Sequence, residues 1–172
     1  MRTLVLDPPP GEFEQLLERR RRTGADRRDE VWEGVLHMAP APHSRHSRLQ
    51  WQLALLLDGP ARAAGLEPTS EFNLGEPDDY RIPDGGLHRP TPDGLYLPTA
   101  ALVIEILSPG DETWEKLPFY AAHRVEELLI IDPDKHKVQW LAPAGGEYRP
   151  IERSLLIELG PGELAERIDW PA

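Results

Sequence analysis

The sequence contains no cysteine among its 172 residues. A disulfide, a thiolate metal site and a thiol nucleophile are therefore all excluded. Long apolar runs are also missing, since the longest leucine-rich run begins at Leu53 and is far too short to cross a bilayer. The N-terminal segment MRTLVLDPPPGEFEQ has no long apolar core before its prolines. We therefore expect no secretory signal and a cytoplasmic protein.

Positive charge is in deficit. The chain has 19 lysines and arginines against 30 acidic residues, a net charge of −11, which repels nucleic acid at long range. The acidic excess lies after residue 50. Before it, Arg19–Arg22 with Arg27 and Arg28 form one basic stretch, which is more typical of a solvated helix end than of a phosphate clamp.

The composition that remains, with 40% apolar and 28% charged residues, is that of a globular protein. A length of 172 residues is sufficient for one domain with a buried hydrophobic core, and we assign residues 1–172 to a single domain. Hydrophobic periodicity predicts helices over Gly11–Arg22, His43–Leu57 and Asp111–Arg124. Strands are predicted at Val31–Met38, Pro68–Leu74, Arg81–His88, Leu102–Leu107, Val125–Ile131, Lys137–Leu141 and Glu147–Ile151, with Gly75–Tyr80 as a polar loop. The predicted fold class is α/β, a mixed sheet with helices on its faces, preceded by an N-terminal helix and hairpin.

Glu105 is the most informative residue of this pattern. It interrupts Leu102–Leu107 (LVIEIL), an apolar, β-branched run typical of a strand that is covered on both faces. Burying a carboxylate costs several kcal/mol unless it is paired, protonated or bound to a metal. An edge glutamate facing water, or a partner of a buried base, would also explain it. We favour a functional carboxylate.

Asp84 and Lys116 extend this interpretation. Asp84 follows Pro83 at the start of an extended segment, 21 residues before Glu105. If the two strands are neighbours, both carboxylates can converge on a hard cation such as Mg²⁺. Lys116, 11 residues after Glu105, could then orient an attacking water or stabilise a pentavalent phosphate. Alone, Lys116 would be interpreted as a surface residue paired with Glu112 or Asp111.

Longer motifs in the same order resemble the Uma-type family of putative restriction endonucleases, within the PD-(D/E)XK nuclease superfamily. They are Ile82-Pro83-Asp84, then LVIEILSPGDETWEKLPFYAAHRVEELLIIDPD from Leu102 to Asp134. Upstream, DEVWEGVL from Asp29 is similar to the family's hairpin, and Pro42 with His46 matches its entry to the following helix. The resemblance covers about residues 28–160. It departs from the family pattern after the helix, at Arg124–Leu129, and at Gly85-Gly86, which replaces an apolar pair.

The resemblance implies a restriction-endonuclease-like fold and a Mg²⁺-dependent endonuclease, with Mn²⁺ as a substitute and DNA as substrate. Asp84 and Glu105 would be the metal ligands, with the backbone carbonyl of Ile106 as a third. The superfamily's lysine usually stands two residues after the glutamate, where this chain has Leu107, so Lys116 would take that role.

Two further residues follow from the same resemblance, and an assembly is expected from the reaction. Glu30 could supply another carboxylate, although Glu33 competes for that role, and His46 could contact substrate or water. Alternatively, His46 is a histidine at a helix end whose hydrogen bonds are made by neighbouring residues. Cleavage of both strands of a duplex would favour a homodimer with two symmetric sites.

Two other functions remain open at this stage. The net charge and the double glycine suit a catalytically weak or inactive module that keeps the nuclease fold and binds nucleic acid or protein. Asp84 and Glu105 could also form a metal-free acid/base pair, as in glycoside hydrolysis, but that chemistry does not explain the lysine.

Overall fold

A computed structural model describes residues 10–90, 94–110 and 112–171. The α-helices are α1 (Pro10–Thr23), α2 (Ser44–Ala63), α3 (Leu117–Ala122) and α4 (Pro161–Arg167), with 3-10 helices at Ala25–Arg28 and Thr113–Lys116. The strands are β1 (Glu30–Trp32), β2 (Val35–His37), β3 (Glu67–Thr69), β4 (Asn73–Glu76), β5 (Asp79–Arg81), β6 (Gly85–His88), β7 (Tyr96–Leu97), β8 (Leu102–Ile106), β9 (Glu127–Asp132), β10 (Lys137–Ala144) and β11 (Glu147–Ile151).

The strands form two sheets. The smaller sheet has the order β2-β1-β5-β4-β7, and the larger has the order β11-β10-β9-β8-β6-β3. In the larger sheet β8 and β9 are parallel, and all the other pairs are antiparallel. The predicted α/β class with mixed strand directions is confirmed, and the N-terminal helix and hairpin are present.

The core lies on both faces of the central strands β8 and β9. Every residue of both strands is buried, as their nearly continuous apolar sequences predict. On one face, α2 presents Leu49, Leu53 and Leu57, which repeat every four residues and are almost completely buried. Each such leucine contributes about 1.5–3 kcal/mol through burial. On the other face lie Phe119 and Tyr120 of α3, so β8 is held between two helices.

Several elements differ from the prediction. The predicted strand Arg81–His88 begins only at Gly85, since Arg81 belongs to β5. Helix α2 continues through Pro60 to Ala63, where Ala61 is still buried in the core. The predicted strand Pro68–Leu74 is divided into β3 and β4, which belong to different sheets. The predicted loop Gly75–Tyr80 is wrong: Glu76 pairs with Asp79 in a tight hairpin between β4 and β5. Its strands carry charged side chains, so their sequence lacks the alternation that indicates a strand.

The third predicted helix is shorter than expected. The 3-10 helix Thr113–Lys116 leads directly into α3, and Pro118 lies in the first turn of α3, where its missing N–H costs nothing. The predicted start at Asp111 lies outside the described residues. This break in helical geometry places Lys116 at the junction of the two helices.

Gly86 explains why a strand forms despite the double glycine. A Cβ atom at this position would lie 2.7 Å from the ring of Phe72 and 2.9 Å from the carbonyl oxygen of Leu102. The absence of a side chain therefore allows β6 to approach its neighbours closely. The glycines hold β6 tightly in the sheet rather than loosening it.

None of the helices within the described ranges is long and apolar enough to span a membrane. The assignment of all 172 residues to one nuclease-like domain stays a prediction.

Candidate functional site

Asp84 and Glu105 lie side by side at the edge of a cleft. The antiparallel register pairs Gly85 of β6 with Ile104 of β8. Asp84, one residue before Gly85, therefore stands beside Glu105, one residue after Ile104. Directly opposed residues of an antiparallel pair face the same side of the sheet. The two carboxylates thus share one face, and both line the same cleft of about 360 Å³.

The carboxylate of Asp84 is held at both oxygens. Oδ2 accepts a hydrogen bond of 2.8 Å from the backbone N–H of Ile106, and Oδ1 lies 2.8 Å from Nε2 of His46. The backbone carbonyl of Asp84 accepts a further bond of 2.8 Å from the side-chain amide of Gln50. Strand β8, through Ile106, and helix α2, through His46 and Gln50, therefore fix the position of this residue.

His46 lies in the first turn of α2 and pairs with Asp84. Burial would lower the pKa of His46, but the hydrogen bond and the charge of Asp84 outweigh it and raise the pKa. Its Nδ1 lies 3.4 Å from the hydroxyl of Ser108. The structure thus gives His46 a partner in the site, and its predicted contact with substrate or water stays a prediction.

Glu105 is buried, with 3% of its surface exposed. Burial raises the pKa of Glu105 to about 7; the Lys116 ammonium opposes this shift, and the nearby charge of Asp84 reinforces it. Oε1 lies 3.2 Å from Nζ of Lys116, and it accepts a short hydrogen bond from the hydroxyl of Tyr120. Burial raises the pKa of Tyr120 too, and the charge of Glu105 adds to this shift, so the phenol stays a proton donor.

Lys116 bridges two carboxylates. Its Nζ donates to Oε1 of Glu30 at 2.8 Å and to Oε1 of Glu105 at 3.2 Å. Burial would lower its pKa, but the charges of Glu105 and Glu30 outweigh that effect and raise it, so the side chain is an ammonium. The structure thus pairs Nζ with two carboxylates of the cleft. Asp111, one of the two surface partners that the sequence also allowed, lies outside the described residues.

Glu30, rather than Glu33, belongs to the site. Besides Lys116, its carboxylate accepts hydrogen bonds of 2.7 Å from the backbone N–H of Ile82 and from the indole N–H of Trp32. Glu33 is exposed in the turn between β1 and β2 with a positive φ of 49°. The site thus joins the two sheets, because Glu30 comes from the smaller one and Glu105 from the larger one.

On another side of the cleft, a histidine pairs with a glutamate, and the sequence analysis missed this contact. Nδ1 of His37 lies 3.1 Å from Oε2 of Glu112, and its ring stacks on Trp32 with centroids 4.1 Å apart. Tyr120 and Gln50 were missed as well. The spacing of Lys116 and Tyr120, one helical turn apart, was the available signal for Tyr120. Nothing in the sequence indicates that His37 and Glu112, 75 residues apart, would meet.

The donor set fits a hydrated hard cation. No group of three or more acidic or histidine side chains poised to hold a metal is found in the described part of the chain. Mg²⁺ needs only one or two protein carboxylates, with water and substrate completing its octahedron. Asp84 and Glu105 supply two. Both hydrogen bonds to the Glu105 carboxylate reach Oε1, so Oε2 receives none from the described residues.

A family model with the description "Putative restriction endonuclease" (Uma2) matches residues 10–166, which is most of the chain. None of the curated proteins matches the sequence.

The fold is also similar to a solved structure. This is the crystal structure of a putative nuclease belonging to DUF820 from Anabaena variabilis ATCC 29413. The TM-score is 0.64 at 19% sequence identity, and the match covers 81% of this chain and 90% of that one. At this identity the similarity establishes a shared fold, which is the restriction-endonuclease-like architecture that the sequence predicted.

Proposed function

Because the chain belongs to the Uma2 family of putative restriction endonucleases, we propose that it is a metal-dependent endonuclease that hydrolyses phosphodiester bonds of DNA. One observation carries the proposal. Asp84 and Glu105 stand side by side in one cleft, and the ammonium of Lys116 lies 3.2 Å from Glu105. A carboxylate pair can hold a cation that activates water, and an adjacent ammonium can stabilise negative charge that develops on the phosphate.

Asp84 and Glu105 would hold the cation, with the backbone carbonyl of Ile106 as a third ligand. When bound, Mg²⁺ or Mn²⁺ would supply a Lewis acid that activates water and offsets negative charge on the phosphate. The hydrogen bonds from Ile106 and His46 keep the Asp84 carboxylate in one orientation before substrate arrives. Such preorganisation avoids a reorganisation cost during the reaction.

Lys116 would assist the chemical step. Its ammonium, held between Glu30 and Glu105, can donate a hydrogen bond to the attacking water or to a phosphate oxygen. Water attacks phosphorus in line, its oxygen forms the new bond and its proton passes to solvent. The bond to the 3′ oxygen breaks, and that oxygen takes a proton from a water molecule. Glu30 fixes the position of Lys116 and keeps it charged, which makes Glu30 a positioning residue in this scheme.

The test is nicking of supercoiled plasmid by purified protein. We expect cleavage with Mg²⁺ or Mn²⁺ and none with a chelator, because water must be activated at the carboxylate pair. Cleavage that continues at the same rate in the chelator would contradict the metal-dependent mechanism. A protein that binds Mn²⁺ in calorimetry but leaves plasmid intact would instead be the inactive module that keeps the fold.

Metal binding should depend on pH. The Glu105 carboxyl, with a pKa near 7, holds a proton below that pH, and a cation must displace it. Affinity for Mn²⁺ should therefore rise about tenfold per pH unit up to pH 7 and then level off. Deprotonation of His46 beside Asp84 acts in the same direction. Calorimetry in two buffers of different ionisation enthalpy should detect about one proton released at pH 6 and fewer at pH 8.5.

The Glu105→Gln variant is the control for this experiment. It should bind Mn²⁺ more weakly, and its affinity should no longer rise tenfold per pH unit up to pH 7. Wild-type affinity that stays constant from pH 5.5 to 8.5 would rule out Glu105 as a ligand that must lose a proton.

A further inference from the structure

Helix α2 has an apolar surface that faces away from the core. Trp51 is 68% exposed and Leu55, one turn further along, is 64% exposed. The same helix already buries Leu49, Leu53 and Leu57 on its opposite side. An amphipathic helix normally has a single apolar face, so a second one needs a different explanation. Large exposed apolar surfaces mark binding sites more often than they mark chance exposure.

Trp51 and Leu55 line a groove of about 610 Å³ that lies beside the candidate nuclease cleft. Asp84 and Ile106 line both cavities. The amide of Gln50, also in the groove wall, donates to the Asp84 carbonyl at 2.8 Å. The groove therefore adjoins a residue that is proposed to hold the metal.

We propose that this groove binds an unpaired nucleobase of the strand being cut, stacked on Trp51. The inference rests on the proposed function. A base has flat apolar faces and a polar edge, and stacking on an indole suits any base. Ser47 and Ala54, one turn before and after Trp51, are small and leave its ring accessible. The Gln50 amide nitrogen already donates to the Asp84 carbonyl and to Glu71, so its Oε1 and the Ser47 hydroxyl are the polar groups for the edge of the base. The substrate class is thus single-stranded, flipped or frayed nucleic acid.

The arginines of α2 can be offered to a nucleic acid only by exchange of their present partners. Arg45, Arg48 and Arg62 each pair with an aspartate, which is Asp134, Asp169 and Asp58 respectively. Arg48 lies one turn before Trp51, and its pair with Asp169 is 3.3 Å long with side chains 61% and 82% exposed. Such exposed ion pairs contribute little stability, so Arg48 can leave Asp169 for another anion. It is placed to contact a backbone phosphate beside the stacked base.

The experiment measures binding of a fluorescently labelled 20-nucleotide single strand, and of the same sequence as a duplex, by anisotropy in a chelator. We expect Trp51→Ala to weaken single-strand binding about tenfold, the loss that removal of one stacking platform causes. Duplex binding should change by less than about twofold, since phosphate contacts dominate it. Trp51→Phe should retain most of the affinity because phenylalanine still stacks.

Leu155→Ala is the matched control, since Leu155 is 83% exposed in a loop that lines neither the groove nor the cleft. It should leave both affinities unchanged. Three outcomes overturn the inference: no single-strand binding by the wild type, equal binding by Trp51→Ala, or an equal loss with duplex. A dimer that Trp51→Ala dissociates in sedimentation also overturns it and assigns the surface to contact between copies.

This assay separates the two proposals because it requires no cleavage. Binding that depends on Trp51 in a protein that never nicks DNA would refute the proposed reaction and support the base site. Metal-dependent nicking by a protein whose single-strand binding is unchanged by Trp51→Ala would support the proposed reaction and refute the base site.

Discussion

Asp84→Asn and Glu105→Gln are each expected to lower the rate of metal-dependent plasmid nicking by about 10³-fold or more. Both changes keep the size and shape of the side chain but remove a negative charge from the proposed metal site. A loss of about 4 kcal/mol in transition-state stabilisation corresponds to a factor of this size. Mn²⁺ calorimetry on the same preparations should show much weaker binding, which ties the lost rate to the metal.

The matched control is Glu147→Gln. Glu147 is also an acidic residue with a basic partner, Arg149, but it is exposed in the β10–β11 hairpin away from the cleft. Its variant should nick at the wild-type rate. If Asp84→Asn or Glu105→Gln nicks as fast as this control, the carboxylate pair does not carry the reaction.

Lys116→Met should reduce both activity and stability. Nicking should fall about 10²-fold or more, because the proposed donor to water or phosphate is lost. The free energy of unfolding at pH 8 should fall by about 3–5 kcal/mol, because Glu30 and Glu105 would be left buried without their shared cation. Urea denaturation measures the second effect.

The stability loss should depend on pH and on a second substitution. Folding of the variant should recover as pH falls, because a buried carboxylate without its partner binds protons more readily than in the unfolded chain. Lys116→Met with Glu105→Gln should regain part of the stability but none of the activity. Equal instability of the single and double variants would mean that Lys116 contributes through packing rather than through its charge.

Much of the candidate site could be predicted because its residues interrupt strong local patterns. Glu105 stands out as a charge inside an apolar strand, and Asp84 follows Pro83 at the start of the neighbouring one. The structure adds the register that places them side by side. The roles proposed for both residues stay predictions until the variants are measured.

The rest of the site depends on contacts between distant segments, which local patterns do not encode. Glu30 and Glu33 look equivalent in sequence, and only the turn at Glu33-Gly34 separates a buried carboxylate from an exposed one. The β4–β5 hairpin escaped prediction for a related reason. Asp79 pairs with Arg81 at 2.8 Å, so polar contacts rather than alternating apolar residues stabilise it.

The bridge from Glu30 through Lys116 to Glu105 has a consequence for the newly made protein. Its members lie up to 86 residues apart in the chain, and they come from both sheets and a helix junction. A nascent chain emerging from the ribosome cannot assemble the bridge until both sheets have formed, because long-range contacts follow closure of the intervening loops. Chains that are incomplete or misfolded would therefore lack the bridge, so the proposed catalytic centre would exist only in the folded protein.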